Sequence, residues 1–240
     1  MIVLFTDYGP EGPYIGQVEV TIYQQAPNEK IINLFSNAPR QNTKASAFLL
    51  AAYTNDYPDG TIFFCVVDPG VGNWEDKPVV MRINNHWYVG PDNGLFDIVA
   101  RRAETMECWE ITWRPESLSS SFHGRDLYAP VCTMLANKKD VPGEKFTWQD
   151  KHNWPDDLFE VIDIDHFGNC ITGIRADSIG DDMIIKVANQ KITSAKTFSD
   201  VPAGQAFWYE NSNGLVEIAL NRGEAAKELL LAVGSGVEVL

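Results

Sequence analysis

The sequence predicts an α/β N-terminal domain, its mostly parallel central sheet lying between helices, followed by a small, mainly antiparallel, β-barrel-like C-terminal domain. Three observations carry this. Strand-like and helix-like segments alternate up to residue 135, the pattern of βαβ units. A polar, breaker-rich stretch follows over 138–157, containing Lys138-Lys139-Asp140-Val141-Pro142-Gly143 and Pro155, a composition typical of linkers. Beyond it come short strands without obvious long helices, as in a small barrel or sandwich. The expected domains are therefore 1–137 and 158–240, joined by 138–157.

Each element has a local reason. Ile2-Val3-Leu4-Phe5 is a short apolar run stopped by Thr6-Asp7, which reads as a first strand rather than a signal peptide because no basic region precedes it. Residues 14–26 are helical, 30–35 strand-like, and 41–53 carry Ala, Phe and Leu at helical spacing. Strands are expected at 61–67, 78–83, 87–90 and 107–112, with helices at 95–103 and from about 125 to 135. The second part offers strands at 159–164, 183–187, 205–209, 215–220 and 236–240, interrupted by a short helix at 223–231.

Composition excludes several functions. With 240 residues, 45% of them hydrophobic, the chain has ample material for a core and is not a disordered one. Nineteen basic against 33 acidic residues give a formal charge of −14, which argues against a nucleic-acid partner, since phosphate binding relies on clustered Lys and Arg. A cationic small ligand is tolerated better. Cys65, Cys108, Cys132 and Cys170 form no CxxC pair, so a zinc ribbon or disulfide scaffold is not expected and reduced thiols are. No run approaches the ~18 apolar residues of a membrane span. The expectation is a soluble, cytoplasmic protein with no membrane partner.

The most informative residues are two carboxylates placed where apolar strands stop. Asp7 follows the first strand, and Asp68 follows Ile62-Phe63-Phe64-Cys65-Val66-Val67. Ligands of open α/β sheets bind beyond the carboxyl ends of the strands, and the glycine-bearing turns TDYG and DPGVG let backbone approach a ligand closely. Turn chemistry would explain either aspartate alone; the pair points to a site. GPDNG at 90–94 and FHGRD at 122–126 lie at two further helix starts, the second bringing His123, Arg125 and Asp126 together. In the second part, Asp165, Phe167 and Asn169 share one tight turn, and NSNG at 211–214 lies between two strands. Hairpin chemistry explains both turns; Asp165 with Asn169 alternatively offers acceptors to an amine and an amide-like edge.

TDYG, YIG at 14–16, PDGTIFFCVVDPGVG, GPDNGL, SFHGRDLYAP, DHFGN and NSNGLVEIAL resemble, in order and spacing, the motifs of the S-adenosylmethionine (SAM) hydroxide adenosyltransferases, relatives of the fluorinase and chlorinase. The resemblance spans nearly the whole chain. It implies metal-independent attack of water or hydroxide on the ribose C5′ of SAM, giving adenosine and L-methionine, with SAM as substrate and no cofactor. It also implies Asp68 and His123 as the catalytic pair, since the halogenase branch has an aromatic residue in place of Asp68 and lacks the FHGRD histidine. By the same resemblance Asp7 takes the ribose hydroxyls, Asp165 the methionine ammonium, Asn169 the adenine, Ser212 with Asn213 the carboxylate, and Phe167 stacks on adenine or packs. The family's pocket lies between subunits, implying a homotrimer.

One departure bears on activity. The family's catalytic set usually includes an Arg after the DPGVG turn, where this chain has Glu75. An inward Glu75 would raise the pKa of Asp68 by repulsion. Either Lys77, Arg82 or Arg125 supplies the missing cation, or Glu75 turns to solvent and activity is reduced. Two other familiar positions also differ, with Glu19-Val20 after the YIG turn and Gly173 after Thr172.

Overall fold

The computed structural model describes all 240 residues except Trp74 and Asp181. It divides into two compact units, Met1–Asn153 and Trp154–Leu240.

In chain order the first unit holds β1 (Ile2–Thr6), α1 (Tyr14–Gln25), β2 (Ile31–Phe35), α2 (Thr43–Tyr53), β3 (Ile62–Val66), β4 (Pro78–Ile83), β5 (His86–Pro91), α3 (Asp97–Arg101), β6 (Met106–Ile111), a π-helical turn Gly124–Tyr128, α4 (Ala129–Ala136) and β7 (Gly143–Phe146). The strands form one sheet in the order β2-β1-β3-β5-β4-β6-β7. β1, β2, β3 and β5 run parallel; β4 is antiparallel to both β5 and β6, and β7 to β6, so five strands share one direction. Every residue of β1 and β3 is buried, as expected for central strands covered on both faces.

α2 begins at Asn42, whose side chain accepts the Ala45 N–H at 3.0 Å, the usual way of satisfying an orphan donor at a helix start. From Ala45 to Ala52 it is buried all round, which explains its low amphipathicity. The opposite face of the sheet packs Ile2, Leu4, Phe64 and Val66 against Val18 and Ile22 of α1 and Val131 and Leu135 of α4.

The order β2-β1-β3 makes the chain leave β1 toward one side and return to the other for β3. That is a topological switch point, where a crevice opens beyond the strand ends.

The second unit holds β8 (Leu158–Ile164), β9 (Cys170–Arg175), β10 (Ile185–Val187), β11 (Gln190–Ile192), β12 (Ala206–Glu210), β13 (Leu215–Leu220), α5 (Ala225–Glu228) and β14 (Glu238–Val239). Two antiparallel sheets form, β12-β13-β9-β8 and β11-β10-β14. Single bridges, Ser194 with Trp208 and Glu160 with Gly236, join their edges into the expected barrel-like ring around Ile174, Ile185, Trp208, Val216 and Ile218.

Several elements differ from the sequence reading. The stretch 138–157, read as a linker, contains β7, paired with β6 from Cys108–Phe146 to Ile111–Gly143. Gly143 is required there, because a Cβ would lie 2.1 Å from the Glu110 carbonyl oxygen. β9 and β11 carry no clear alternation and were not expected. The helix from 125 begins as a π-helical turn, and the helix at 223–231 shortens to α5, with Leu230 at φ 56° ending its last turn.

Gly90 tests the closeness of β3 and β5, since a Cβ there would sit 2.0 Å from the Cys65 carbonyl oxygen. Gly90→Ala is expected to destabilise the protein by about 1–3 kcal/mol or more, read as a lowered unfolding midpoint in calorimetry.

Candidate active site

Asp7 and Asp68 both sit just past the carboxyl ends of adjacent, in-register strands, with Thr6 opposite Val66 in the last pair. His123 stands immediately before the π-helical turn, a helical variant often found at functional sites. All three line one cavity of about 310 Å³.

Three rings form part of its wall. Tyr8, Tyr14 and Phe122 line the cavity and contact one another with centroid separations of 5.9, 5.7 and 5.4 Å. Gly124 makes this possible: a Cβ there would lie 1.9 Å from the Tyr8 hydroxyl oxygen. The turn after β1 and the turn carrying His123 are thereby pressed together. Asp7 is itself braced, its Oδ2 accepting the Gln41 N–H at 2.9 Å.

Asp68 Oδ1 accepts the Gly70 N–H at 3.1 Å. Its carboxyl is nevertheless pushed up to about 6, chiefly by burial and then by the charges of Asp76 and Asp7, against the lowering effect of the Gly70 bond. A Cβ on Gly70 would lie 3.5 Å from Asp76 Oδ2 and 3.7 Å from Asp68 Oδ1, so the two carboxylates flank that glycine. His123 is buried, and desolvation, then the Arg114 charge, depresses its pKa, with Asp126 opposing. At neutral pH the cavity therefore holds a largely ionised Asp68 and a neutral imidazole. Both are proton acceptors, and a base whose pKa lies near the working pH is the efficient kind.

GPDNG serves a supporting role. Asn93 Nδ2 donates to the Val67 carbonyl at 2.9 Å and its Oδ1 accepts from the Leu95 N–H, holding the end of β3 in place ahead of Asp68. Buried Asp92 and Asp97 are matched by Lys151 at 2.5 Å and His152 at 2.7 Å.

Glu75 is exposed and its carboxylate accepts from Asn73 at 3.2 Å; it does not line the cavity. The three cations considered as replacements for the family's arginine are engaged elsewhere. Lys77 pairs with Glu110, Arg82 lies over the Trp87 ring and 3.9 Å from Glu107, and Arg125 pairs with Asp126 at 2.6 Å while stacking over Phe122. Among the described residues, the one Lys or Arg lining the cavity is Arg40.

The remaining expected residues lie in the second unit. Asp165 Oδ1 accepts the N–H groups of Phe167 and Asn169 at 2.9 and 2.8 Å, and its Oδ2 accepts Asn169 Nδ2 at 3.0 Å. Phe167 is 72% exposed, so it presents a ring outward rather than packing inside. Asn211 Oδ1 holds the NSNG turn through the N–H groups of Asn213 and Leu215, and Ser212 Oγ donates to Asn213 Oδ1 at 3.1 Å.

These two turns are not brought together. β13 pairs antiparallel with β9, Ile218 opposite Cys170 and Leu215 opposite Arg175, so the turn at 165–169 and the turn at 211–214 sit at opposite ends of the sheet. The length of β13 separates them, roughly 17 Å at about 3.4 Å per residue. The expected ammonium and carboxylate roles of Asp165 and of Ser212 with Asn213 thus fall on two separate turns of the sheet.

Residues 2–144 match the SAM hydroxide adenosyltransferase N-terminal domain and residues 159–238 the corresponding C-terminal domain. The chain belongs to the SAM hydroxide adenosyltransferase family. It is 31% identical to the (R)-S-adenosyl-L-methionine hydrolase of Thermus thermophilus, over 100% of this chain and 99% of that protein. The protein of the same name from Methanocaldococcus jannaschii is 29% identical over 100% of this chain and 95% of its own length. Among solved structures, an uncharacterized conserved protein from Thermotoga maritima superposes with a TM-score of 0.90 at 30% identity, covering 100% of this chain and 99% of that one.

Tyr8, Tyr14 and Phe122 stood within the motifs but were passed over for their charged neighbours. Arg40 stood outside every motif, and only the bond of its neighbour Gln41 to Asp7, not its spacing, reveals its place at the cavity.

The raised Asp68 pKa has a consequence for stability. A carboxyl whose folded-state pKa exceeds its ordinary 3.8 contributes stability that is fully present below that value and is lost as pH rises through about 6. Asp68→Asn mimics the protonated form, so its unfolding midpoint should exceed the wild type's at pH 8 and approach it at pH 4. Equal midpoints at both pH values would show that Asp68 is not desolvated.

Proposed function

We propose that this chain hydrolyses SAM by directing water or hydroxide at the ribose C5′, releasing adenosine and L-methionine. The observation that carries this is the placement of two proton acceptors, Asp68, pushed up to about 6, and His123, kept neutral by desolvation, in the same cavity as the strand-end carboxylate Asp7.

The chemistry divides accordingly. The sulfonium leaves as a neutral thioether when the C5′–S bond breaks with its electron pair, so no acid is needed at sulfur. The demand lies on the nucleophile, which must be oriented in line with that bond and must lose a proton. We assign the proton to Asp68, with His123 orienting the water or receiving the proton in turn. Asp7 receives the ribose hydroxyls: a carboxylate offers about four lone-pair sites, and one bond to the Gln41 N–H leaves capacity for both. The aromatic wall suits a planar base. Asp165 is assigned to the ammonium, Asn169 to the adenine edge and Phe167 to stacking on a base. A halide needs no base, so Asp68 and His123 favour hydrolysis over halide transfer.

No helix among the described residues is long and apolar enough to cross a membrane, and the four cysteines are free and buried. We place the protein in the cytoplasm, with SAM, adenosine and methionine as its partners, no nucleic acid and no cofactor.

Adenosine release from SAM, followed by chromatography, tests the reading. Asp68→Asn and His123→Ala are each expected to lower kcat by about 10²–10⁴-fold with KM little changed. Glu75→Arg is expected to change kcat by less than about two-fold, because an exposed charge is screened by solvent and salt. Near-normal kcat in both cavity variants, or release of a 5′-halo nucleoside in chloride instead of adenosine, overturns the assignment.

Assembly follows the family resemblance, since ligand-facing motifs fall in both units. A homotrimer is the expected species in sedimentation velocity; a fully active monomer would defeat it.

A further inference from the structure

The turn after β1 carries a hydroxyl that the rest of the fold leaves unused. Tyr8 follows Asp7 directly and lines the same cavity. Its ring is fixed by Phe122 and Tyr14, with centroids 5.7 and 5.9 Å away. Its hydroxyl oxygen lies over the backbone of Gly124, where a Cβ would approach it to 1.9 Å, and Gly124 is the residue after His123. Packing alone therefore holds the oxygen where the turn after β1 meets the turn that carries His123.

Two carboxylates act on this group. Burial, then the charges of Asp7 and Asp68, push the phenol above its ordinary 10, so it stays a neutral donor at any working pH. Yet it bonds to neither carboxylate. Among the described residues the Tyr8 hydroxyl makes no hydrogen bond, while Asp7 Oδ2 accepts from Gln41 and Asp68 Oδ1 from Gly70. The described side-chain polar atoms sealed in the interior without a partner are Thr6 Oγ1 and Trp148 Nε1, so the Tyr8 oxygen is unpartnered and open to the cavity. A covered tyrosine hydroxyl ordinarily has a partner in the protein or in water.

The reaction offers such a partner. As the attacking water gives its proton to Asp68, negative charge gathers on the water oxygen. Ionised Asp7 and Asp68 are acceptors only and cannot meet that charge; a neutral phenol beside them can.

We propose that the Tyr8 hydroxyl donates to the oxygen of the attacking water and, with Asp68, holds it on the line of the C5′–S bond. This rests on the hydrolase reading and adds a catalytic residue to it. In the step the water oxygen bonds to C5′, the C5′–S electron pair leaves with sulfur and the water proton goes to Asp68. Tyr8 keeps its own proton throughout, and its hydrogen bond strengthens as charge grows on the oxygen.

Tyr8→Phe keeps the ring and removes only the oxygen. The variant should lower kcat for adenosine release from SAM by about 10-fold, the size of one hydrogen bond to a group gaining charge, with KM changed by less than about two-fold. Calorimetry with two nucleosides reads the same contact without turnover. Adenosine carries on C5′ the oxygen that the water becomes, and 5′-deoxyadenosine lacks it. Tyr8→Phe should weaken adenosine binding by about 3- to 10-fold and 5′-deoxyadenosine binding by less than about two-fold. Equal losses on both nucleosides would assign the hydroxyl to the base or the ribose ring, and no loss on either would leave it idle; each result overturns the proposal. An acid limb of the kcat profile moved to higher pH, with kcat normal above it, would assign the hydroxyl to the Asp68 carboxylate and overturns it as well. Wild-type protein that binds both nucleosides but releases no adenosine from SAM sinks the hydrolase reading separately, and the nucleoside pair still decides the contact of Tyr8 with the 5′ oxygen. Binding of neither nucleoside by wild type overturns both.

Discussion

The parallel, in-register pairing of β1 with β3, from Ile2 opposite Ile62 to Thr6 opposite Val66, is the constraint from which the site follows. Both strands are buried along their whole length, so a slip of one residue would turn apolar side chains to the wrong face of a covered sheet. The register is therefore fixed by the core, and with it the place where each strand runs out. Asp7 and Asp68 inherit that place. Their neighbours are fitted around it: Asn93 ties Val67, Gln41 ties Asp7, and the Tyr8 hydroxyl occupies the space that Gly124 leaves open.

The site is bought at a cost in stability. Asp68 is desolvated and flanked by Asp76 and Asp7, with one backbone N–H to stabilise its charge. A structure selected only for stability would surround such a group with cations or leave it in water. Elsewhere in the first unit this chain does so: Asp92 has Lys151 and Asp150 has Arg101. Among the described residues two carboxyls are pushed up to about 6, Asp68 and, in the second unit, Asp163, and of these Asp68 lines the cavity.

How much of this the sequence revealed follows from where each signal lies. β1, β3 and β13 were legible because buried strands need long apolar runs with few polar interruptions, and the strand-end aspartates were legible because they break those runs. β9 and β7 were not. Gly173 and Gly143 look like breakers in a sequence, whereas in the structure each is a strand residue where a neighbouring chain comes too close for a Cβ. Asp7, Asp68 and His123 converge as the strand-end argument requires. Asp165 and the Ser212–Asn213 pair lie on two turns of one sheet, and the antiparallel pairing of β13 with β9 puts those turns at opposite ends, a separation that sequence spacing does not reveal. Arg40 carried no signal at all, because its position depends on long-range bonds of its loop to the end of β1, Ala38 N–H to the Thr6 carbonyl and Gln41 N–H to Asp7 Oδ2.

Glu75 in place of the family's arginine acquires a different meaning once it is seen turned to Asn73. The Glu75 carboxylate does not line the cavity, and Asp68 meets the charge of Asp76 instead. In the proposed reaction the substrate completes the ionisation of Asp68. A sulfonium arriving beside a carboxyl poised at about 6 lowers its pKa, so the carboxylate fraction rises when substrate is bound. As the C5′–S bond breaks, the positive charge on sulfur vanishes while a proton passes from water to Asp68. The step therefore discharges an ion pair, sulfonium and carboxylate becoming thioether and carboxylic acid, and a site of low polarity favours it. It leaves a neutral nucleoside and a zwitterion, neither of which carries the sulfonium charge that Asp7 and ionised Asp68 attract.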